Sequence, residues 1–307
     1  MGTYEMSAEE RDWLETYDIT EFDRPSVAAD MAVFSIMETA GRETPDRKNY
    51  RKDPEKCLKL LLIRRGSFPF KNRWALPGGF CRRGESTQET AMRELQAETG
   101  VRDAYLRPFA IFSEAGRDPR GWIISHAFLA LINGECYRVH EGSDAWEARW
   151  FRVDLKKEEN DRAIAADCAG ITNTYTLYLS DAEDSSVMLT AVIREARRFR
   201  NYHETVRYEI VDAGGLAFDH ASVILCAFLD LRRQAEAGGT IVFDLMPELF
   251  TLSELQKAYE TVLGRPLLTA NFRRKIAPLV TETQEAAAGA GHRPARLFRR
   301  NLDAFYC

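Results

Sequence analysis

Residues Gly79 to Val101, GFCRRGESTQETAMRELQAETGV, constrain the fold of this chain more than any other stretch. Ser86 can cap a helix start, and Glu89 three residues later completes a capping box. Gly100 supplies the left-handed stop that helix C-termini favour. Between them Met92, Leu95 and Thr99 recur at helical spacing and turn one face to a core. Glu94 and Glu98 sit four apart, so their carboxylates stack one turn apart on another face. Like charges placed that way repel, and a purely structural helix gains nothing from them. A divalent cation reverses the sign of that cost, because Mg²⁺ selects hard oxygen ligands.

The same stretch resembles the Nudix box, whose pattern is glycine, five residues, glutamate, seven residues, then R-E-U-x-E-E-x-G-U with U aliphatic. Gly79, Glu85, Arg93, Glu94, Leu95, Glu98, Gly100 and Val101 all fall on it, behind the strand-like Trp74-Ala-Leu-Pro-Gly-Gly-Phe80. Ala97 departs: it stands where the pattern has the first glutamate of its final pair.

At 307 residues the chain exceeds the usual single-domain size, and two domains are expected. No run approaches eighteen apolar residues, and the acidic N-terminus MGTYEMSAEERDWLETY reads as an amphipathic helix and not as a signal peptide, so no membrane association is expected. Cysteines at 57, 81, 136, 168, 226 and 307 form no CxxC pair, which suits reduced thiols in a cytoplasmic protein. The net charge of −5 hides an asymmetry. Residues 265–307 carry eight basic against three acidic side chains, a net of +5, which leaves −10 for the rest. A basic tail on an acidic body points to a polyanionic partner at one end.

In chain order, residues 1–17 read as a short helix and 24–37 as a strand entered through Pro25. The polar stretch 38–56 reads as a loop, and Cys57 to Ile63 as a buried strand. Arg64 and Arg65 emerge from its end, followed by Arg73; the pair is either solvated strand-end charge or a phosphate fork. Strands are expected at 104–113 and 122–132, with a turn at Arg117-Asp-Pro-Arg-Gly121. Ala145 to Phe151 reads as a short closing segment. Tyr175 to Leu179, Val187 to Ile193 and Val206 to Val211 read as strands of a β-ribbon insertion spanning about 156–214. Leu216 to Arg232 reads as a long helix, with His220 a capping or packing residue.

Ala235 to Thr240 reads as a small flexible joint. Beyond it Thr251 and Glu254 form a second capping box, with Leu252, Leu255, Ala258, Tyr259 and Val262 as an apolar stripe. Gly264-Arg-Pro266 ends that helix, Thr269 can cap another holding Phe272 and Ile276 inward, and Pro278 closes it. Leu279 to Thr283 and Arg296 to Arg300 read as two short strands. Helix, turn, helix and two-stranded wing make a winged helix-turn-helix, whose second helix presents Asn271, Arg273, Arg274 and Lys275 to a DNA groove. Arg293, Arg296, Arg299 and Arg300 lie in or near the wing, where phosphate contacts are expected.

A Nudix box followed by a winged helix resembles the Nudix-related transcriptional regulators of the NrtR-like family. Arg24-Pro-Ser-Val27, Arg117-Asp-Pro-Arg120, Leu216-Ala-Phe-Asp-His220, Phe250 to Leu255 and Asn271-Phe-Arg-Arg-Lys275 carry the likeness. The resemblance implies an α+β protein: a Nudix α/β/α sandwich with a mixed sheet over residues 1–235, and a winged helix over 241–307. It implies a homodimer that binds double-stranded DNA and answers to ADP-ribose or a related nucleoside-diphosphate sugar. The alternative is a working Mg²⁺-dependent pyrophosphohydrolase. Carried over residue by residue, Glu94 and Glu98 are the ligands of Mg²⁺ (or Mn²⁺ as a substitute), with Arg93 and Glu85 supporting the helix. Arg64, Arg65, Arg73, Gly78, Gly79 and Arg120 would meet the ligand, and Glu141, Asp144 and Glu147 are candidates for the general base.

Overall fold

The computed structural model describes residues 6–38, 56–102, 104–134, 145–164, 168–184, 186–200, 203–238, 240–286 and 295–306. A mixed sheet forms its centre. Its strands are β1 (Ser26–Glu38), β2 (Lys56–Arg65), β3 (Trp74–Ala75), β4 (Gly78–Phe80), β5 (Tyr105–Phe112), β6 (Ile123–Leu131), β7 (Ala145–Ile164), β8 (Cys168–Asp181), β9 (Met188–Arg200) and β10 (His203–Asp212). The order across the sheet is β10-β9-β8-β7-β2-β1-β6-β5, with β3 beside β2 and β4 beside β1. Only the β1–β6 pairing is parallel among these neighbours; the others are antiparallel.

Alternation along β1 and β2 sends side chains to two cores. Ala29, Met31, Val33 and Leu61 meet helix α2 (Thr87–Thr99) through Ala91 and Leu95. Ala32, Phe34, Leu60 and Leu62 face helix α3 (His220–Glu236) on the other side. An α/β/α sandwich results. Helix α1 (Ala8–Thr16) has no buried residue.

The stretch 156–214 is rich in strand, as expected, but it is not a detached arm. β7 runs unbroken from Ala145 to Ile164, and the following strands extend the main sheet from it. Their inner halves are apolar where α3 covers them: Leu177, Leu179, Leu189, Ala191 and Ile193 are buried. The long helix starts four residues later than its apolar pattern suggests. Residues 213–218 are occupied instead by a turn with Gly214 and Gly215 at positive φ, and by bonds of Trp74 N–H to Gly215 carbonyl and Ala217 N–H to Trp74 carbonyl.

Directly after the expected joint the chain packs inward. A 3-10 turn over Thr240–Leu245 buries Ile241, Val242, Phe243 and Leu245. Helices α4 (Leu252–Leu263) and α5 (Thr269–Ile276) follow, then strands β11 (Val280–Ala286) and β12 (Arg296–Arg300) and a short α6 (Asp303–Tyr306). One hydrophobic core runs from Phe34 and Leu60 through α3 to Phe243, Tyr259, Phe272 and Ile276. Thr251 caps α4 through a full capping box. Thr269 does not cap α5: Leu268 holds that position, and the Thr269 hydroxyl instead accepts a bond from Gln256 of α4. No described helix is long and apolar enough to cross a membrane.

Candidate functional site

The capping box and Gly100 terminus expected for α2 both form. Glu85, just before the helix, accepts two bonds from Arg93, at 2.8 and 2.9 Å, and one from the Thr90 hydroxyl at 3.0 Å. The Arg93 guanidinium holds the Glu85 carboxyl down at about 2. Arg93 also donates to Glu94. The Glu94 side chain lies so close over β4 that a Cβ at Gly79 would come within 2.3 Å of its carboxylate, so a larger residue there would push that carboxylate aside. Glu98 accepts a 2.9 Å bond from the Gly78 N–H, and burial pushes its carboxyl up to about 8.

Two carboxylates therefore meet the end of β4, and Ala97 beside them is exposed and adds none. Among the described residues no group of three or more His, Cys, Asp or Glu is arranged to hold a metal ion. The donors match Mg²⁺ in kind, an ion that takes one or two carboxylates from a protein and fills its shell with water and phosphate oxygens.

Next to Glu98 the structure gathers cations and aromatic rings. The Arg65 guanidinium lies 4.8 Å from the centre of the Phe218 ring, and that of Arg120 lies 5.2 Å from the same ring and 4.8 Å from Phe80. Arg65 is fixed by a 2.8 Å bond to the Pro69 carbonyl; Arg120 is fixed by buried Asp118, with Nη2 to Oδ2 at 2.6 Å. Burial, then the neighbouring Arg120 charge, lower the Arg65 pKa. Phe218 and Phe70 both sit at positive φ and pack edge to face at 4.8 Å. Bulky residues rarely hold that conformation unless their surroundings impose it.

A buried frame supports this cluster. Arg117 forks onto Asp219 at 2.7 and 2.8 Å and reaches Asp30 at 3.4 Å, while the Ser125 hydroxyl donates to Asp30 at 2.5 Å. His220 is buried, its Nδ1 accepts the Leu76 N–H at 2.9 Å, and burial lowers its pKa, so it packs as a neutral ring.

The cluster thus unites Arg65, Gly78, Gly79, Arg93, Glu94, Glu98 and Arg120. Arg64 is not part of it. By strand alternation it points to the α3 face, where it pairs with Glu147 at 3.5 Å. Glu147 is also held by Arg149 on that face, which removes it as a base beside Glu98. Glu141 and Asp144 lie outside the described residues. Arg73 lies beside Gly215, with Nη1 4.0 Å from where a Cβ there would stand. Sequence reasoning missed Phe218, Phe80, Asp118 and Asp30. Phe218 and Asp118 lie inside motifs quoted for the family likeness, but nothing in their spacing announced that they would stack or anchor.

In the second unit Phe272 and Ile276 turn inward. Asn271, Arg273 and Arg274 are exposed, and Arg274 donates to Asn271 at 3.4 Å. Lys275 is exposed too, but its Nζ lies 3.5 Å from the Glu236 carbonyl, and its chain covers Gly238, where a Cβ would come within 2.6 Å. Lys275 thus packs back against the end of α3. In the wing Arg296 pairs with Glu282 at 2.5 Å, Arg299 is exposed opposite Thr281, and Arg300 pairs with Asp244 at 2.6 Å over the Phe243 ring. Arg293 lies outside the described residues.

Comparison with known proteins bears on both units. The model of the NUDIX domain matches residues 50–168, and that of the NrtR DNA-binding winged helix domain matches residues 242–300. The chain is 28% identical over 300 residues to the ADPR responsive transcriptional repressor NtrR of Acinetobacter baylyi, covering 96% of this chain and 90% of that protein. Over 101 residues it is 44% identical to an ADP-ribose pyrophosphatase of Methanocaldococcus jannaschii, covering 33% of this chain and 58% of that protein. The crystal structure of a MutT/nudix family protein from Enterococcus faecalis superposes with a TM-score of 0.66 at 25% identity, covering 97% of this chain and 94% of that one.

Proposed function

The chain belongs to the Nudix-related regulators of the NrtR-like kind, a Nudix domain joined to a winged helix, and from that premise we propose that it is a DNA-binding transcriptional repressor whose Nudix part binds ADP-ribose or a related nucleoside-diphosphate sugar. One observation carries the reading: Arg65 and Arg120 converge over Phe218 beside a helix that offers two carboxylates and not three. Paired guanidiniums match a diphosphate, the rings offer faces to a base or sugar, and the thinned carboxylate cluster favours holding over cleaving. Arg274, with Asn271 and Arg273, faces the major groove, and Arg299 holds phosphate from the wing.

A gel-shift titration with operator DNA tests this. ADP-ribose should change DNA retention in the native protein, and Arg120→Ala should shift the required ADP-ribose concentration upward by about tenfold, as loss of a charge-assisted contact predicts. ADP-ribose without effect on retention at any concentration would sink the proposal.

The second reading is a hydrolase, and the likeness to the Methanocaldococcus jannaschii pyrophosphatase favours it. Nudix hydrolases generally use divalent metals. Here Glu94 and Glu98 would hold Mg²⁺, or Mn²⁺ in its place, and such an ion supplies charge neutralisation at the diphosphate. Arg93 orients Glu94, and Glu85 anchors Arg93, whether or not cleavage occurs. We further propose a cytoplasmic homodimer, since two winged helices are what a two-fold operator needs, with residues 1–235 and 241–307 as its two domains.

A further inference from the structure

A second cavity, of about 1030 Å³, opens between α3, the outer halves of β8 to β10, and the stretch 109–117. Residues Ser222, Cys226, Leu229 and Arg233 recur along α3 at helical spacing and turn one stripe of the helix to this space. On the sheet side, the face that carries the Tyr175–Ile193 pair becomes polar one register position further out, at Asn173 and Glu195. The change comes where α3 no longer covers the sheet.

Glu195 is buried and fully engaged there. One oxygen accepts from Asn173 Nδ2 at 2.9 Å and Tyr175 at 3.4 Å, and the other accepts from Arg197 at 2.7 Å and Tyr208 at 3.4 Å. This carboxylate fixes the Asn173 amide, since the flipped orientation would set oxygen against oxygen. With the amide so fixed, Asn173 Oδ1 is buried and has no hydrogen-bond partner among the described residues. Native proteins rarely leave such an acceptor unsatisfied, and a site that awaits a donor is one reason they do. Burial keeps both phenols protonated; each gives its one O–H to Glu195, so each phenol oxygen is left to accept from a guest.

The surroundings narrow the guest's chemistry. Six basic side chains line the cavity against four acidic ones. Lys157 and Arg162 on its rim are exposed and form no ion pair with a described residue. The Ser222 hydroxyl can exchange bonds with hydroxyl groups and the two phenol oxygens can accept from them, while Phe109, Phe112 and Leu229 offer apolar wall. The cavity borders the Arg65–Arg120 cluster at Phe218, which belongs to both, and extends away from it along β8 to β10. The Arg117–Asp219 ion pair closes its near end, and Glu195 stands six residues along β9 from Leu189, which packs beside Gly215; that is about 20 Å at roughly 3.3 Å per residue.

We propose that this cavity is a second ligand site that takes a phosphorylated polyhydroxy compound, with its hydroxyls donating to Asn173 and its phosphate at the Lys157–Arg162 rim. The site needs neither the ADP-ribose reading nor DNA binding to hold. Calorimetric titration of the full-length protein with ribose 5-phosphate and with glucose 6-phosphate tests it, with ribose and inorganic phosphate as half-ligands. At least one sugar phosphate should saturate one site per chain and bind at least tenfold tighter than either half. The double variant Lys157→Ala, Arg162→Ala, which alters only exposed side chains, should weaken it about tenfold and leave ADP-ribose titration unchanged. Asn173→Leu should weaken it while ribose 5-phosphate and phosphate become alike; should that variant fail to fold, the rim variant decides. Sugar phosphates that bind no better than phosphate overturn the proposal. So does an equal loss of ADP-ribose affinity in the rim variant, because the cavity would then be a limb of the first site.

Discussion

Ala97 occupies an exposed position on α2, where a longer side chain meets no steric obstacle. Ala97→Glu should therefore fold normally and restore a third carboxylate beside Glu94 and Glu98. We expect it to raise Mg²⁺-dependent cleavage of ADP-ribose at least tenfold from a basal rate far below the ordinary ~10 per second. Phosphate release assays would detect it, and a native protein already turning over at that rate would mean Ala97 costs nothing. Glu85 gives a second test. Its carboxyl is lowered from the ordinary 4.5 to about 2 by Arg93, so the pair's contribution to stability is full above 4.5, fades as the pH falls, and is gone below about 2. The melting-temperature gap between native protein and Glu85→Gln should therefore close across that window and stay constant above it. At this scale the placement of the carboxylates, Arg93 and Gly79 in one cluster was legible because the motif's helical spacing fixes which residues share a face. Arg64 and Arg65 were not separable, since only strand pairing decides which of two neighbours reaches which face. Phe218 was invisible because positive φ on an aromatic residue leaves no compositional trace.

Helix α5 shows how an element divides residues that look alike. Asn271, Arg273, Arg274 and Lys275 follow one another, yet Phe272 and Ile276 fix the buried face and turn Lys275 toward the end of α3. Arg274→Ala should cost about 1–3 kcal/mol of operator binding and relax sequence preference. Lys275→Ala should leave preference intact. Fluorescence anisotropy against cognate and scrambled duplexes separates the two, and equal effects from both would mean the helix docks by its flank. The helices of this unit were readable from one capping box, at Thr251, and from their apolar stripes, while the cap expected at Thr269 did not form. The outer half of β7 was not readable: Lys156 to Glu158 and Asp161 to Ile164 are exposed, and the hydrophobic alternation that marks a strand is missing. Its ladder with β8 supplies what its side chains do not announce.

At the scale of the whole molecule, α3 is the shared wall. It is buried against the sheet on one flank and against α4 and the 240–245 turn on another. A ligand that shifts α3 must then shift the winged helix, and linkage requires operator DNA to change ADP-ribose affinity by the same factor. Equal dissociation constants with and without DNA would contradict that coupling. The common core also makes unfolding cooperative. Phe243→Ala, emptying a fully buried position between the two units, should cost about 3–5 kcal/mol and lower one melting transition, not one of two.

That common wall bears on how such a chain can be taken apart or recombined. A cut near residue 239 would free no self-sufficient pieces: the N-terminal piece would carry the bared flank of α3, and the C-terminal one would lose the surface under Phe243 and Phe272. Exchanging this DNA reader for another, in the laboratory or over descent, would therefore require a matching exchange along α3, so the reader and its sensor are inherited as a pair.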